Sequence, residues 1–246
     1  MILRFLKGFR APFSGFRLMI SDPSLWRLAT IPYIIDLVLF SVGVYYGQKY
    51  IPGIVSAYVK NQTLWQQFLY YPVLALTFIV SFILLFTCVF FLTNLIAAPF
   101  NAVLAERTLI IEKALSEKRF QVGRWIKVSG RMLLVSLMKA AIFVSVGVVL
   151  FFFGLVPGLN VAAAFAGLLI MSFDCADYSF ESFEMGLRER LRFHRSHLAE
   201  FSGFGCALGL TFLIPGLNFL LYPATVVGAA QLVADIRRQL DPGPRS

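Results

Sequence analysis

The chain has 246 residues, of which 59% are hydrophobic and only 14% charged, with a mean hydropathy of +0.77 and a formal net charge of +9. A water-soluble domain carries about a quarter charged residues, so this composition excludes one and points to an integral membrane protein. The apolar runs are continuous rather than alternating, which excludes a spanning β-barrel and predicts an all-α membrane fold.

Residues 2–20 space Arg4, Lys7, Arg10 and Arg17 at near-helical intervals among Phe5, Leu6, Phe9, Phe13 and Phe16. This is the pattern of a basic amphipathic helix in the headgroup region, bent at Pro12. Its basic part is too long for a signal peptide, and no small-residue cleavage site follows a short apolar core. Asp22-Pro23 then reads as a helix start, a capping carboxylate followed by Pro at the first helical position. The first span is expected over 23–48, kinked at Pro32 and with Asp36 inside its apolar part. A loop with Trp65 as an interfacial anchor follows, and a second span is expected over 68–98. Pro99 marks a kink near its exit, and Leu104 to Lys139 reads as a charged amphipathic stretch.

Two uncharged runs of 34 residues come next, 140–173 and 201–234. Each has the tetrapeptide Pro-Gly-Leu-Asn at its middle, Pro157 to Asn160 and Pro215 to Asn218. Pro removes an amide donor and Gly weakens a helix, so each run predicts a helical hairpin with arms of about 14 to 18 residues, at or below a full crossing. The hairpins are expected to enter the membrane partway and return. Between them, Asp174–Glu200 reads as an amphipathic helix on the membrane surface. The whole, 1–246, is expected to form a single membrane domain.

The 22 Lys and Arg flank these runs, and only Lys49 and Lys60 occupy the loop after the first span. The positive-inside rule puts that loop outside and both termini in the cytoplasm. Basic residues spread over every flanking segment leave no nucleic-acid footprint. Cys88, Cys175 and Cys206 lack metal spacing, and there is no catalytic triad, phosphate loop or dinucleotide fingerprint. No catalytic residue, metal or cofactor is therefore expected, and any transport is channel-like, gradient-coupled or partner-powered.

The segments from Ala98 to Glu106 (APFNAVLAE), from Asp174 to Tyr178 (DCADY) and from Leu208 to Asn218 (LGLTFLIPGLN) resemble the CysZ sulfate permease family, the bacterial branch of the etoposide-induced membrane protein group. The resemblance covers nearly the whole chain. It implies an inner-membrane homo-oligomer of two long spans and two partly penetrating hairpins, embedded in the lipid bilayer and importing sulfate for cysteine synthesis. The resemblance also implies a Gly-Leu-Arg-like or paired-arginine element for the anion at the head of the first span. Here that stretch is Ser24, Leu25, Trp26 and Arg27, and Arg27 is its one positive charge. The alternative is a non-transport scaffold or envelope-organisation protein of the same fold.

Arg27 sits in the first turns of a helix, where free amides and the dipole favour an anion and a guanidinium matches an oxyanion. The competing reading is an arginine snorkelling to headgroups, with Trp26 as an anchor. Asp36 is either a functional intramembrane charge or a hydrated one. Glu106 is either a surface charge or part of a gate. Asn101, Asn160 and Asn218 are expected to cap helices or to line a pore. Asp174, Asp177, Glu181 and Glu184 are expected on a solvated face, and His194 and His197 at the surface.

Overall fold

The computed structural model describes residues 1–58, 64–116, 141–142, 144–212 and 217–240, and among them all regular structure is helical. In chain order the helices are α1 (Ile2–Ser21), α2 (Pro23–Tyr58), α3 (Leu64–Ile111), α4 (Val144–Gly154), α5 (Leu159–Ser182), α6 (Leu187–Ser196), α7 (Leu198–Phe212) and α8 (Leu217–Leu240). They fall into two units, Met1–Ile31 with Ala97–Ser246, and Pro32–Ile96.

In the larger unit α1 packs on α7 and α8, and α5 packs on the same two helices. The core joins Ala11 of α1, Cys175, Ala176 and Phe180 of α5, Phe201, Phe204 and Leu208 of α7, and Ala229, Leu232, Val233 and Ile236 of α8. A second cluster seats Ala98, Ala102, Ala105 and Leu109 of α3 against Tyr178, Val226, Ala230 and Ala234. α1 runs unbroken through Pro12 and buries Gly8, Ala11, Pro12, Gly15 and Met19. Phe13 and Phe16, which dominate its sequence pattern, stay exposed. Small residues make the contact because backbones meet there. A Cβ on Gly203 would lie 2.0 Å from the Phe5 carbonyl oxygen, and one on Gly8 1.8 Å from that of Glu200. The ion pairs Arg4 Nε–Glu200 Oε1 (2.6 Å) and Lys7 Nζ–Asp235 Oδ2 (3.3 Å) flank this seam.

The smaller unit holds α2 from Pro32 to its end and most of α3, where Phe40 meets Phe82 edge to face at 6.1 Å. Both helices outrun the expected spans. α2 has 36 residues and α3 has 48, or about 54 and 72 Å at 1.5 Å per residue. Leu37, Val38, Leu76, Ile79, Phe82 and Ile83 are exposed along them, a surface suited to lipid rather than water.

Pro23–Ile54 and Leu159–Ser182 are long and apolar enough to cross a membrane. The second corrects the expected arm length. The helix does break at Pro157-Gly158, where Gly158 takes φ +90°, a conformation open to glycine. The returning helix α5 then runs 24 residues, past Phe173 to Ser182. Asp174 does not end it, because Ser172 and Cys175 to Phe180 are buried among α6, α7 and α8. The expected break at Pro215-Gly216 lies outside the described residues, as do positions 140 and 143.

Candidate anion site at the head of the second helix

α1 ends at Ser21, Asp22 is extended (φ −110°, ψ 109°), and Pro23 opens α2. Pro23 has no amide to satisfy, so the first donors come from Ser24 onward. Asp22 Oδ1 accepts from the Ser24 amide (2.8 Å) and the Ser24 hydroxyl (2.6 Å). The Asp22 carbonyl accepts from the Leu25 and Trp26 amides at 3.1 and 3.3 Å. Ser24's hydroxyl and amide, with the charge of Arg107 on α3, hold the Asp22 carboxyl below its ordinary value. The positive end of the helix is thus already engaged by a carboxylate of the chain itself.

Of the four residues expected to meet the anion, Leu25 is corrected: its side chain is fully buried. It alternates with Trp26 and Arg27, which face outward, and packs inward as Ala29 does one turn on. Trp26 is 46% exposed. Arg27 is exposed and has no ion-pair partner among the described residues. Ser24 and Arg27, three apart, share a helix face. The structure adds Arg107, whose charge reaches Asp22 from a helix some eighty residues later in the sequence. No local spacing announces that second guanidinium.

The remaining candidates separate. Asp36 lies on α2 in the smaller unit, and its side chain is outside the described residues, as is that of Asn218 in the first turn of α8. Asn160, exposed in the first turn of α5, accepts the Val161 amide at 2.9 Å. Asn101 caps nothing, because it lies inside α3. It is 1% exposed, and neither amide atom has a hydrogen-bond partner among the described residues. Glu106, half-buried in the last turns of α3, makes no ion pair among them.

The expected solvated acidic face and surface histidines are corrected as well. Arg190 reaches from α6 to α5, giving Nη1 to Asp177 Oδ1 (2.7 Å), Nη2 to Glu181 Oε2, and Nε to the Met185 carbonyl (2.7 Å). Burial disfavours its charge, but Asp177 and Glu181 outweigh that and raise its pKa. Glu184 alone of the four acids is exposed, and Asp174 accepts from the Tyr222 hydroxyl at 3.1 Å. His194 is buried, stacked on Phe201 at 4.4 Å, with Nε2 3.1 Å from Ser172 Oγ. His197 is buried too, its Nδ1 2.9 Å from the Phe193 carbonyl. Positions 190, 193, 194 and 197 share one helix face, a spacing that marks an inward side even in a basic run.

Burial brings the His194 ring to about 4, below its ordinary value. The folded protein then keeps it neutral where the unfolded chain protonates it. Stability is full above about pH 6.5 and falls as pH drops toward 4, by about 3 kcal/mol for this group. His194→Gln is expected to flatten the melting temperature between those limits. An unchanged slope would assign the acid sensitivity elsewhere.

The profile of the family described as "Sulfate transporter CysZ/Etoposide-induced protein 2.4" matches residues 11–223. A Pseudomonas fluorescens (strain Pf0-1) protein named Sulfate transporter CysZ is 29% identical over 220 residues, 87% of this chain and 88% of that one. Its namesake from Pectobacterium atrosepticum is 27% identical over 240 residues, 93% of this chain and 84% of its own. One from Vibrio cholerae is 25% identical over 240 residues, 93% of each. With its apolar spans, the chain is an integral membrane protein, and it belongs to the Sulfate transporter CysZ/Etoposide-induced protein 2.4 family.

Proposed function

We propose that this protein is an inner-membrane permease that carries sulfate, or a closely similar oxyanion, into the cytoplasm for cysteine biosynthesis. The observation behind this reading is Arg27, an exposed guanidinium without an ion-pair partner on the first turns of α2, backed by the charge of Arg107. The names of its relatives agree. Arg27 receives the anion, Trp26 and Ser24 flank it, and Asn101 belongs to the path beyond. Glu106, Asp36, Asn160 and Asn218 are further candidates along that path.

Both termini are assigned to the cytoplasm by the charge distribution. The whole chain works as one domain, and its Pro-Gly-broken segments enter the membrane as hairpins. α2 and α3 are far longer than the roughly 30 Å of hydrocarbon and apolar along their exposed sides, which favours a homo-oligomer that covers them.

Sulfate binding to the purified protein, followed by calorimetry, tests the site. Asp22→Asn keeps the cap, since Asn caps as well as Asp, and removes the carboxylate that competes for the same donors. Affinity is expected to rise about fivefold, and to fall at least tenfold in Arg27→Gln, the scale of a charge-assisted hydrogen bond. Indifference to both changes would move the anion away from the head of α2.

A further inference from the structure

We propose that α6 is a docking face for anionic phospholipid headgroups, separate from the anion path. Its inward side is spent on Arg190, Phe193, His194 and His197, of which Arg190 and both histidines are buried. The opposite side holds Arg188, Arg192 and Arg195, all exposed and without an ion-pair partner among the described residues. At about 100° per residue these three share one sector. Leu187 (67% exposed) and Leu191 (48% exposed) border that sector on one side, and Glu189 and Ser196 on the other. Leu198, also exposed, extends the leucine edge into α7.

Arginines beside an exposed leucine edge match a phosphate layer over hydrocarbon. A soluble acidic partner gives the leucines nothing to meet. The level fits a bilayer as well, because α6 begins five positions after Ser182, where an apolar helix long enough to cross comes to an end. The salt link from Arg190 to Asp177 and Glu181 fixes the rotation of α6, so the outward face stays directed away from the core.

The test is native mass spectrometry of the full-length protein taken from nanodiscs with equal phosphatidylglycerol and phosphatidylcholine. Each arginine near an anionic surface is worth about fivefold in partitioning. The retained ratio of phosphatidylglycerol to phosphatidylcholine is expected to fall at least tenfold when Arg188, Arg192 and Arg195 are all changed to Gln. Arg192→Gln alone, a milder change, should lower it about fivefold. Arg238→Gln removes one charge outside α6 that Glu112 already engages and should change it much less. An unchanged ratio in the α6 variants would overturn the proposal. So would an equal loss per charge in the Arg238 variant, which would reduce the effect to net charge.

Discussion

Gly203→Ala, a change of one methyl group, is expected to release α1 from the helical core. The new Cβ would stand 2.0 Å from the Phe5 carbonyl oxygen and 2.9 Å from the Phe9 nitrogen, both backbone atoms. A side chain can rotate away from such a clash, but a helix backbone moves only as a whole. The cost therefore falls at or beyond the top of the about 1–3 kcal/mol usual for overpacking. On the seam of α1, Gly8 faces the same constraint against Glu200, and Gly15 and Gly228 against each other's helices. Moving α1 would also part Arg4 from Glu200, whose carboxylate is almost wholly buried, and stranding a buried charge adds to the loss. Gly167→Ala is the control, because nothing lies within 4 Å of a Cβ there, and it should match or slightly exceed the wild type. Thermal melting of the purified proteins reads the difference. If Gly203→Ala melts with the wild type, the close contact between α1 and α7 does not hold.

The second large effect separates stability from function. Asn101→Leu is expected to raise the melting temperature and to abolish transport. A buried amide left without partners costs about 1–3 kcal/mol, and leucine of similar size fills the place without that penalty. Ala98 and Ala105, three and four positions away on the same helix, are buried and apolar. The role proposed for Asn101, a donor to the passing oxyanion, would account for a buried amide held at a cost in stability. Melting and uptake measured on one preparation decide it. A variant that melts lower but transports normally would make Asn101 a structural residue.

What was legible in the sequence was chemistry that acts within a turn. Asp22-Pro23 dictated where α2 begins, because Pro has no N–H to satisfy and Asp supplies an acceptor for the next one. Pro157-Gly158 dictated a break, because Gly158 takes a backbone angle that side chains resist. Pairings across the fold were not legible. Asp174 looked like the end of an apolar arm, yet α5 continues, with Asp177 and Glu181 neutralised by Arg190 from α6. The phenylalanines of α1 drew attention from Gly8, Ala11 and Gly15, whose value lies in the backbones they admit. The charge of Arg107 reaches Asp22 only through the fold, while Arg27 stood out because it sits where the helix dipole acts.

The central claim is oxyanion transport with Arg27 on the path, and the measurement closest to it is radiolabelled sulfate uptake into proteoliposomes, wild type against Arg27→Ala. The account predicts saturable uptake that sulfite or selenate competes for and that the mutation removes. Uptake no faster than in empty liposomes, with the protein shown folded and inserted, would contradict transport and favour a scaffold. Uptake unaffected by the mutation would contradict the site.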